Sequence, residues 1–181
     1  MRITSGKYKG RVIKMPKGIR PTQDKVRKAL FDILGDIEGL SFLELFAGSG
    51  AVGFEAISRG TAELALVEND RDCLSIIKQN IEALKIENCN LYPQEAEKSI
   101  QNFHRNKKIF DIIFLDPPYY KEEAKKTLQM FGAYDILAPY GLVIAQHFKK
   151  DKLPDQSEKL KLIKEAAYGD TVLSFYKKHC Q

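Results

Sequence analysis

Apolar residues recur along this chain with two periods. Between Asp70 and Leu84, Leu74, Ile77, Ile81 and Leu84 fall three and four positions apart, the spacing of one helix face. Five short apolar runs surround that segment: Ser41–Phe46, Glu63–Val67, Asn90–Tyr92, Phe110–Leu115 and Gly141–Gln146. Runs this short, bounded by polar residues and glycine, read as buried strands. Strands alternating with helices predict a parallel sheet with right-handed crossovers. The end of the chain departs from this rhythm. Lys159–Glu165 and Thr171–Lys177 are β-prone and joined by Tyr168-Gly169-Asp170, which predicts an antiparallel hairpin at the sheet edge. At the start, Arg2–Thr4 and Arg11–Met15 lie among Gly6, Gly10, Pro16 and Gly18, the pattern of a small hairpin and an extended connector. Thr22 then stands where it can cap a helix carrying Val26, Leu30, Ile33 and Leu34. The organisation expected is an arm over residues 1–19 followed by one compact domain over 20–181, with no internal repeat.

Composition narrows the class. At 181 residues the chain is long enough for one domain with a substantial core. Its longest apolar runs, such as Leu64–Val67 and Ile112–Leu115, fall far short of the roughly 20 residues of a membrane span. The opening Met1-Arg2-Ile3-Thr4-Ser5-Gly6 has no apolar signal region, so a cytoplasmic protein is expected. Cys73, Cys89 and Cys180 show no metal-ligand spacing and are expected to be reduced thiols; no metal is expected.

Charge adds an asymmetry. Arg2, Lys7, Lys9, Arg11, Lys14, Lys17, Arg20, Lys25, Arg27 and Lys28 stand against the single acid Asp24 in residues 1–30, while the whole chain is only +5. A basic arm on a mildly acidic body suits phosphate binding, because each paired phosphate releases condensed counterions. Arg2, Lys7, Lys9, Arg11, Lys14 and Arg20 are the candidate contacts.

Two motifs carry chemistry. Leu43 to Gly53 is a strand, a glycine turn and a helix start, with Gly48, Gly50 and Gly53 in GxGxxG spacing. Gly48 and Gly50 let a ligand approach the backbone, and Gly53 lets the helix pack on the strand. Glu68, at the end of the second strand, is placed to accept the hydroxyls of an adenosine ribose. The loop alone fits NAD as well as S-adenosylmethionine. The latter carries a sulfonium and an ammonium, which favour a nearby acid such as Glu44. Beyond the third strand, Glu95 is a candidate acceptor for an adenine amine, with the Ala96 N–H reaching a ring nitrogen.

The second motif is Asp116-Pro117-Pro118-Tyr119, directly after the fourth strand. Two prolines stop a strand and stiffen the turn. An exocyclic amine on a base is a poor nucleophile because its lone pair is delocalised into the ring. The Asp116 carboxylate and the Pro117 carbonyl, both acceptors, would hold its two N–H groups and turn the lone pair outwards, with Tyr119 stacking on the base. Such a site works by positioning and electrostatics.

Together these motifs make the chain resemble the RsmD-type bacterial 16S rRNA guanine-N2 methyltransferases. Three further stretches are similar: Arg2 to Gly10, Arg20-Pro21-Thr22 with Val26-Arg27, and Ala56-Ile57-Ser58-Arg59-Gly60, and the likeness reaches Ala145-Gln146-His147. The resemblance implies an α/β, Rossmann-like class I fold with a mostly parallel seven-stranded sheet, an antiparallel C-terminal hairpin and a small N-terminal β-hairpin. It implies S-adenosylmethionine as donor, with S-adenosylhomocysteine as product. The acceptor it implies is a guanine N2 in 16S rRNA, within an assembled or assembling small subunit. It assigns catalysis to Asp116, Pro117, Pro118 and Tyr119, and cofactor binding to Glu44, Phe46, Ala47, Gly48, Gly50, Glu68, Asn69, Glu95, Ala96 and Asp116. A monomer is the default, and His147 is expected to be structural. The nearest alternative is a DNA adenine-N6 methyltransferase, which shares the DPPY motif. A nicotinamide oxidoreductase shares the glycine loop but leaves DPPY unexplained, and a non-catalytic module leaves Asp116 and Tyr119 unexplained.

Overall fold

The structure, a computed structural model, describes residues 1–16, 24–118, 122–157 and 159–179. The chain divides into two compact units, Met1–Glu95 and Ala96–Gln181. The first holds α1 (Asp24–Leu34), β1 (Ser41–Leu45), α2 (Ala51–Ser58), β2 (Glu63–Glu68), α3 (Arg71–Leu84) and β3 (Cys89–Pro93). Its strands are all parallel, with β2 between β1 and β3. Every residue of α2 is buried, which is why its sequence, Glu55 and Ser58 apart, is apolar all round rather than striped.

In α3 the start fits the capping logic of its sequence: the Asp70 carboxylate accepts the Asp72 and Cys73 N–H groups at 3.0 and 2.9 Å. Those bonds hold its carboxyl below the usual carboxylate range, the bond from Cys73 first. The buried face differs from the periodicity reading. Cys73, Ile77, Asn80 and Leu84 are buried, while Leu74 and Ile81 are only half-buried. Asn80 accepts the Lys14 N–H at 2.8 Å and donates to the Lys14 carbonyl at 3.0 Å, so an amide takes an apolar position by pairing with passing backbone.

That backbone belongs to the N-terminal segment, which is strapped onto α2 and α3. It forms a narrow hairpin with one bridge, Arg2 to Val12, and buries Ile3 and Ile13. At its turn Gly6 has φ +78°, and a Cβ there would lie 1.6 Å from the Ser58 carbonyl oxygen. Ser58 in turn accepts the Lys7 N–H on its carbonyl at 2.7 Å and the Tyr8 N–H on its hydroxyl at 2.9 Å. Beneath the strap is a buried ionic cluster. Glu55, fully buried on α2, accepts the Thr4 N–H and hydroxyl at 2.8 and 2.6 Å and the Arg59 Nε at 3.1 Å. Arg27, 1% exposed, stands 3.7 Å from Glu55 and donates to the Arg2 carbonyl at 2.7 Å. Thr22, the expected cap of α1, lies outside the described residues, as do the connector from residue 17 onwards and Arg20.

The second unit holds α4 (Ala96–Arg105), β4 (Phe110–Leu115), α5 (Glu123–Ala133), β5 (Leu137–Phe148), β6 (Gln156–Ser157), β7 (Leu160–Tyr168) and β8 (Thr171–Lys178). β4 and β5 are parallel; β8 pairs antiparallel with β5 and with β7, and β6 with β7. The fold is thus α/β, with parallel strands followed by an antiparallel C-terminal hairpin, as the alternation of elements implies. The described residues hold eight strands rather than seven; the additional one is the two-residue β6. β5 also begins at Leu137, four residues before the run that the sequence marks. Its register to β4 jumps between Phe110–Leu137 and Ile112–Leu142, and Pro139 in that irregularity has no N–H for a ladder. Cys73 and Cys89 are free thiols, each pushed up to about 12 chiefly by burial, so neither is a thiolate at neutral pH. Cys180 lies outside the described residues.

Candidate active site

β1 and β2 end side by side, Leu45 opposite Val67, and the first unit's candidate cofactor residues other than Glu95 sit at or near those two ends. The turn after β1 carries Phe46 at φ 60°, a left-handed conformation that costs a bulky residue about 1–3 kcal/mol. The Ala47 N–H on the Val67 carbonyl at 3.0 Å and the Gly50 N–H on the Ala47 carbonyl at 2.7 Å hold it there. Strain of this kind collects where a loop must present its backbone to a ligand. Gly48 and Gly50 also have positive φ, +54° and +73°. A Cβ on Gly48 would meet nothing within 4 Å, so that side of the loop is open.

Glu68 clasps this loop to the end of β2. One carboxylate oxygen accepts the Gly48 N–H at 2.6 Å; the other accepts the Asn69 and Asp70 N–H groups at 2.8 and 2.9 Å. A carboxylate offers about four lone-pair sites, so about one is left for a further donor while the Gly48 bond stands. Glu44, 4% exposed, accepts the Gly53 N–H at 2.7 Å. Gly50 begins α2 without a capping side chain, and this strand carboxylate satisfies one of the helix's orphan donors instead. Gly53 makes the contact possible: a Cβ there would stand 2.7 Å from the Glu44 oxygen and 2.6 Å from Leu66 Cδ2. Glu95 is exposed and directly precedes α4, which starts at the buried Ala96.

In the second unit β4 runs straight into Asp116-Pro117-Pro118, with Pro117 buried; Tyr119 lies outside the described residues. Leu115 pairs with Ala145 of β5, so the next residues, Asp116 and Gln146, meet where the parallel β4–β5 ladder ends. Gln146 Nε2 donates to Asp116 Oδ2 at 2.7 Å. Beside them opens a cavity of about 460 Å³, walled by Pro117, Pro118, Gln146 and His147 and by residues of the α5 start and the β5–β6 connection. This is the size of a small-molecule pocket. The sequence reading missed Gln146. Its place at the end of a parallel strand, where ligands collect, was the available signal.

His147 faces a structural network. Its Nδ1 lies 3.1 Å from the Phe148 carbonyl oxygen and its Nε2 2.8 Å from Ser174 Oγ, whose hydroxyl donates to Glu165 at 2.8 Å. Arg2, Lys7, Lys9, Arg11 and Lys14 are all exposed along the strap. Three of them reach acceptors on their own unit: Arg2 the Gly10 carbonyl, Arg11 the Ala83 carbonyl and Lys14 the Gln79 side chain.

Comparison with known proteins places this geometry in context. The family described as "Conserved hypothetical protein 95" matches residues 1–177. The YlbH protein of Bacillus subtilis (strain 168) is 35% identical over 182 residues, covering 98% of this chain and 99% of that one. The Escherichia coli (strain K12) protein named ribosomal RNA small subunit methyltransferase D is 31% identical, covering 100% of this chain and 91% of its own. Among solved structures, the yhhF protein from Escherichia coli superposes with a TM-score of 0.89 at 30% identity, covering 100% of this chain and 99% of that one.

Proposed function

The chain belongs to the family described as Conserved hypothetical protein 95, the RsmD family, and from that premise we propose that it methylates the exocyclic N2 of a guanine in small-subunit ribosomal RNA. The observation that carries the reading is Asp116-Pro117 at the end of a parallel strand, with the carboxylate held by Gln146 beside a cavity of base-binding size. When bound, S-adenosylmethionine supplies a methyl group made electrophilic by the sulfonium sulfur. The fit of that cofactor rests on the open face of Gly48, the remaining acceptor capacity of Glu68 and the absence of a side chain where the loop must be approached. Phe46, Ala47 and Asn69 belong to the same two strand ends, and Glu95 with Ala96 to the third.

The chain's own part is orientation. Asp116 and the Pro117 carbonyl accept the two amine hydrogens and turn the nitrogen lone pair out of the ring's conjugation. The amine nitrogen gains the methyl group and releases one proton, which needs no strong base because the alkylated nitrogen is acidic. Tyr119 is assigned to stacking on the base. The basic strap, Arg2, Lys7, Lys9, Arg11 and Lys14, with Arg20 beyond it, is assigned to RNA phosphates flanking the acceptor.

The direct test incubates the protein with radiolabelled S-adenosylmethionine and small ribosomal subunits from cells lacking this enzyme, then digests the RNA to nucleosides. Label in N2-methylguanosine is expected. Label only in N6-methyladenine, when DNA is offered instead, would transfer the assignment to a DNA adenine enzyme.

Two variants test the supporting roles. Glu68→Gln loses the charge and half of the acceptor sites, so S-adenosylhomocysteine should bind roughly 10- to 100-fold more weakly by calorimetry. Unchanged affinity would remove Glu68 from the cofactor site. Lys7→Ala with Lys9→Ala should lower RNA affinity and reduce the slope of log K against log salt by roughly 0.7 for each phosphate no longer neutralised. An unaltered slope would leave the strap without a role in RNA binding.

A further inference from the structure

Gln146 is buried, 3% exposed, yet its amide is only half engaged. A carboxylate at neutral pH accepts hydrogen bonds and donates none, so the amide end facing Asp116 at 2.7 Å is the NH2. The orientation that is ambiguous for most glutamines is therefore fixed by chemistry. It leaves Oε1, which is buried and has no hydrogen-bond partner among the described residues. A buried acceptor without a donor is uncommon in folded proteins and calls for a partner. Gln146 also lines the cavity beside Pro117 and Pro118.

We propose that this cavity seats the acceptor base and that Gln146 Oε1 selects guanine by accepting its ring N1–H. The inference rests on the amine-methylation reading above and deepens it. Adenine, cytosine and guanine all carry an exocyclic amine. Only in guanine is a ring N–H the neighbour of that amine. Adenine N6 sits beside the bare N1, and cytosine N4 beside the bare N3. With the amine held by Asp116, guanine offers the adjoining Gln146 oxygen a donor. Adenine or cytosine would oppose lone pair to lone pair at that point. Burying two facing acceptors is disfavoured, so one residue both steadies the catalytic carboxylate and reads the base. Gln146 is thus a specificity residue for the reaction.

The test compares wild type with Gln146→Met and Gln146→Glu on small subunits from cells lacking this enzyme. It scores N2-methylguanosine formation, S-adenosylhomocysteine affinity and melting temperature. Methionine keeps the shape and removes the acceptor; kcat/KM should fall about 10- to 100-fold with cofactor affinity unchanged. Glutamate keeps an acceptor and can hold Asp116 through a shared proton, so it should retain more activity than methionine. A role in packing alone gives the opposite order, because methionine fills the site as glutamine does while glutamate brings a second ionisable group beside Asp116. If the methionine protein matches wild type, or the glutamate protein is the weaker of the two, the selector role is overturned and the guanine assignment stands. If wild type itself makes no N2-methylguanosine, the assignment beneath it fails instead. Should Gln146→Met not fold, Gln146→Asn, which withdraws the same amide by one methylene, must show the same loss of activity, and full activity there overturns the proposal.

Discussion

Asp116→Ala is expected to lower methyl transfer by roughly 10²- to 10⁴-fold, with the loss in the chemical step rather than in cofactor affinity. The amine of a base is conjugated with its ring, so its lone pair is delocalised and poorly placed for attack. In the proposed reaction the carboxylate opposes that delocalisation by accepting one N–H from a fixed direction. The direction is fixed because Gln146 Nε2 holds Oδ2 at 2.7 Å and because Pro117 follows immediately. Alanine removes the acceptor and releases Gln146 as well, so two ordering interactions go together. Single-turnover measurements with saturating cofactor and rRNA separate the steps. A variant that transfers methyl at the normal rate would show that Asp116 does not orient the amine.

The second large effect concerns stability. Glu55→Ala should cost about 3–5 kcal/mol, because it removes the buried carboxylate of the cluster and leaves the buried Arg27 with only an exposed one. The Arg2 carbonyl, which Arg27 reaches at 2.7 Å, is a neutral acceptor. Its other carboxylate neighbour is Asp24 at 3.0 Å, whose side chain is largely solvent-exposed, so water screens that attraction. Thr4 loses two bonds and Arg59 one by the same change. For a chain of this length the melting temperature should fall by roughly 10 °C, and the strap should become the first site of proteolytic cleavage. The companion test replaces Arg27 with Met and Glu55 with Leu together. An apolar pair needs no counter-charge and should recover most of the loss. A fall of under about 1 kcal/mol for Glu55→Ala would mean that the cluster is hydrated and carries little of the stability.

How much of this could be read beforehand divides by sequence distance. The parallel strands, the glycine turn and the strand that ends in Asp116-Pro117 follow from local period and local motif, and the structure places them within a few residues of expectation. Contacts set by register could not be read that way. Gln146 reaches Asp116 only because Leu115 pairs with Ala145, thirty positions further on. Glu44 looked like an acid for a cationic ligand. That it caps α2 depends on Gly53 having no side chain, which a glycine count alone does not reveal. The basic character of the first residues was plain from charge, but its anchor was not. Glu55 and Ser58 lie about fifty positions away from the strap, inside a helix whose sequence shows only that it is buried. Asn80 broke the apolar stripe of α3 for the same reason: its partner is the backbone of Lys14.

The close seating of Gly6 against Ser58 bears on the thermodynamics of RNA binding proposed for the strap. Basic tails that fold on binding lose about 1–2 kcal/mol of backbone freedom for each residue ordered. Here Lys7 and Lys9 extend from a turn already fixed by Gly6, Ser58 and Tyr8, so that loss has occurred during folding. RNA association through the strap should therefore show a small heat-capacity change and an entropy dominated by released counterions. A segment that is disordered until it binds would instead give the large negative heat-capacity change of coupled folding.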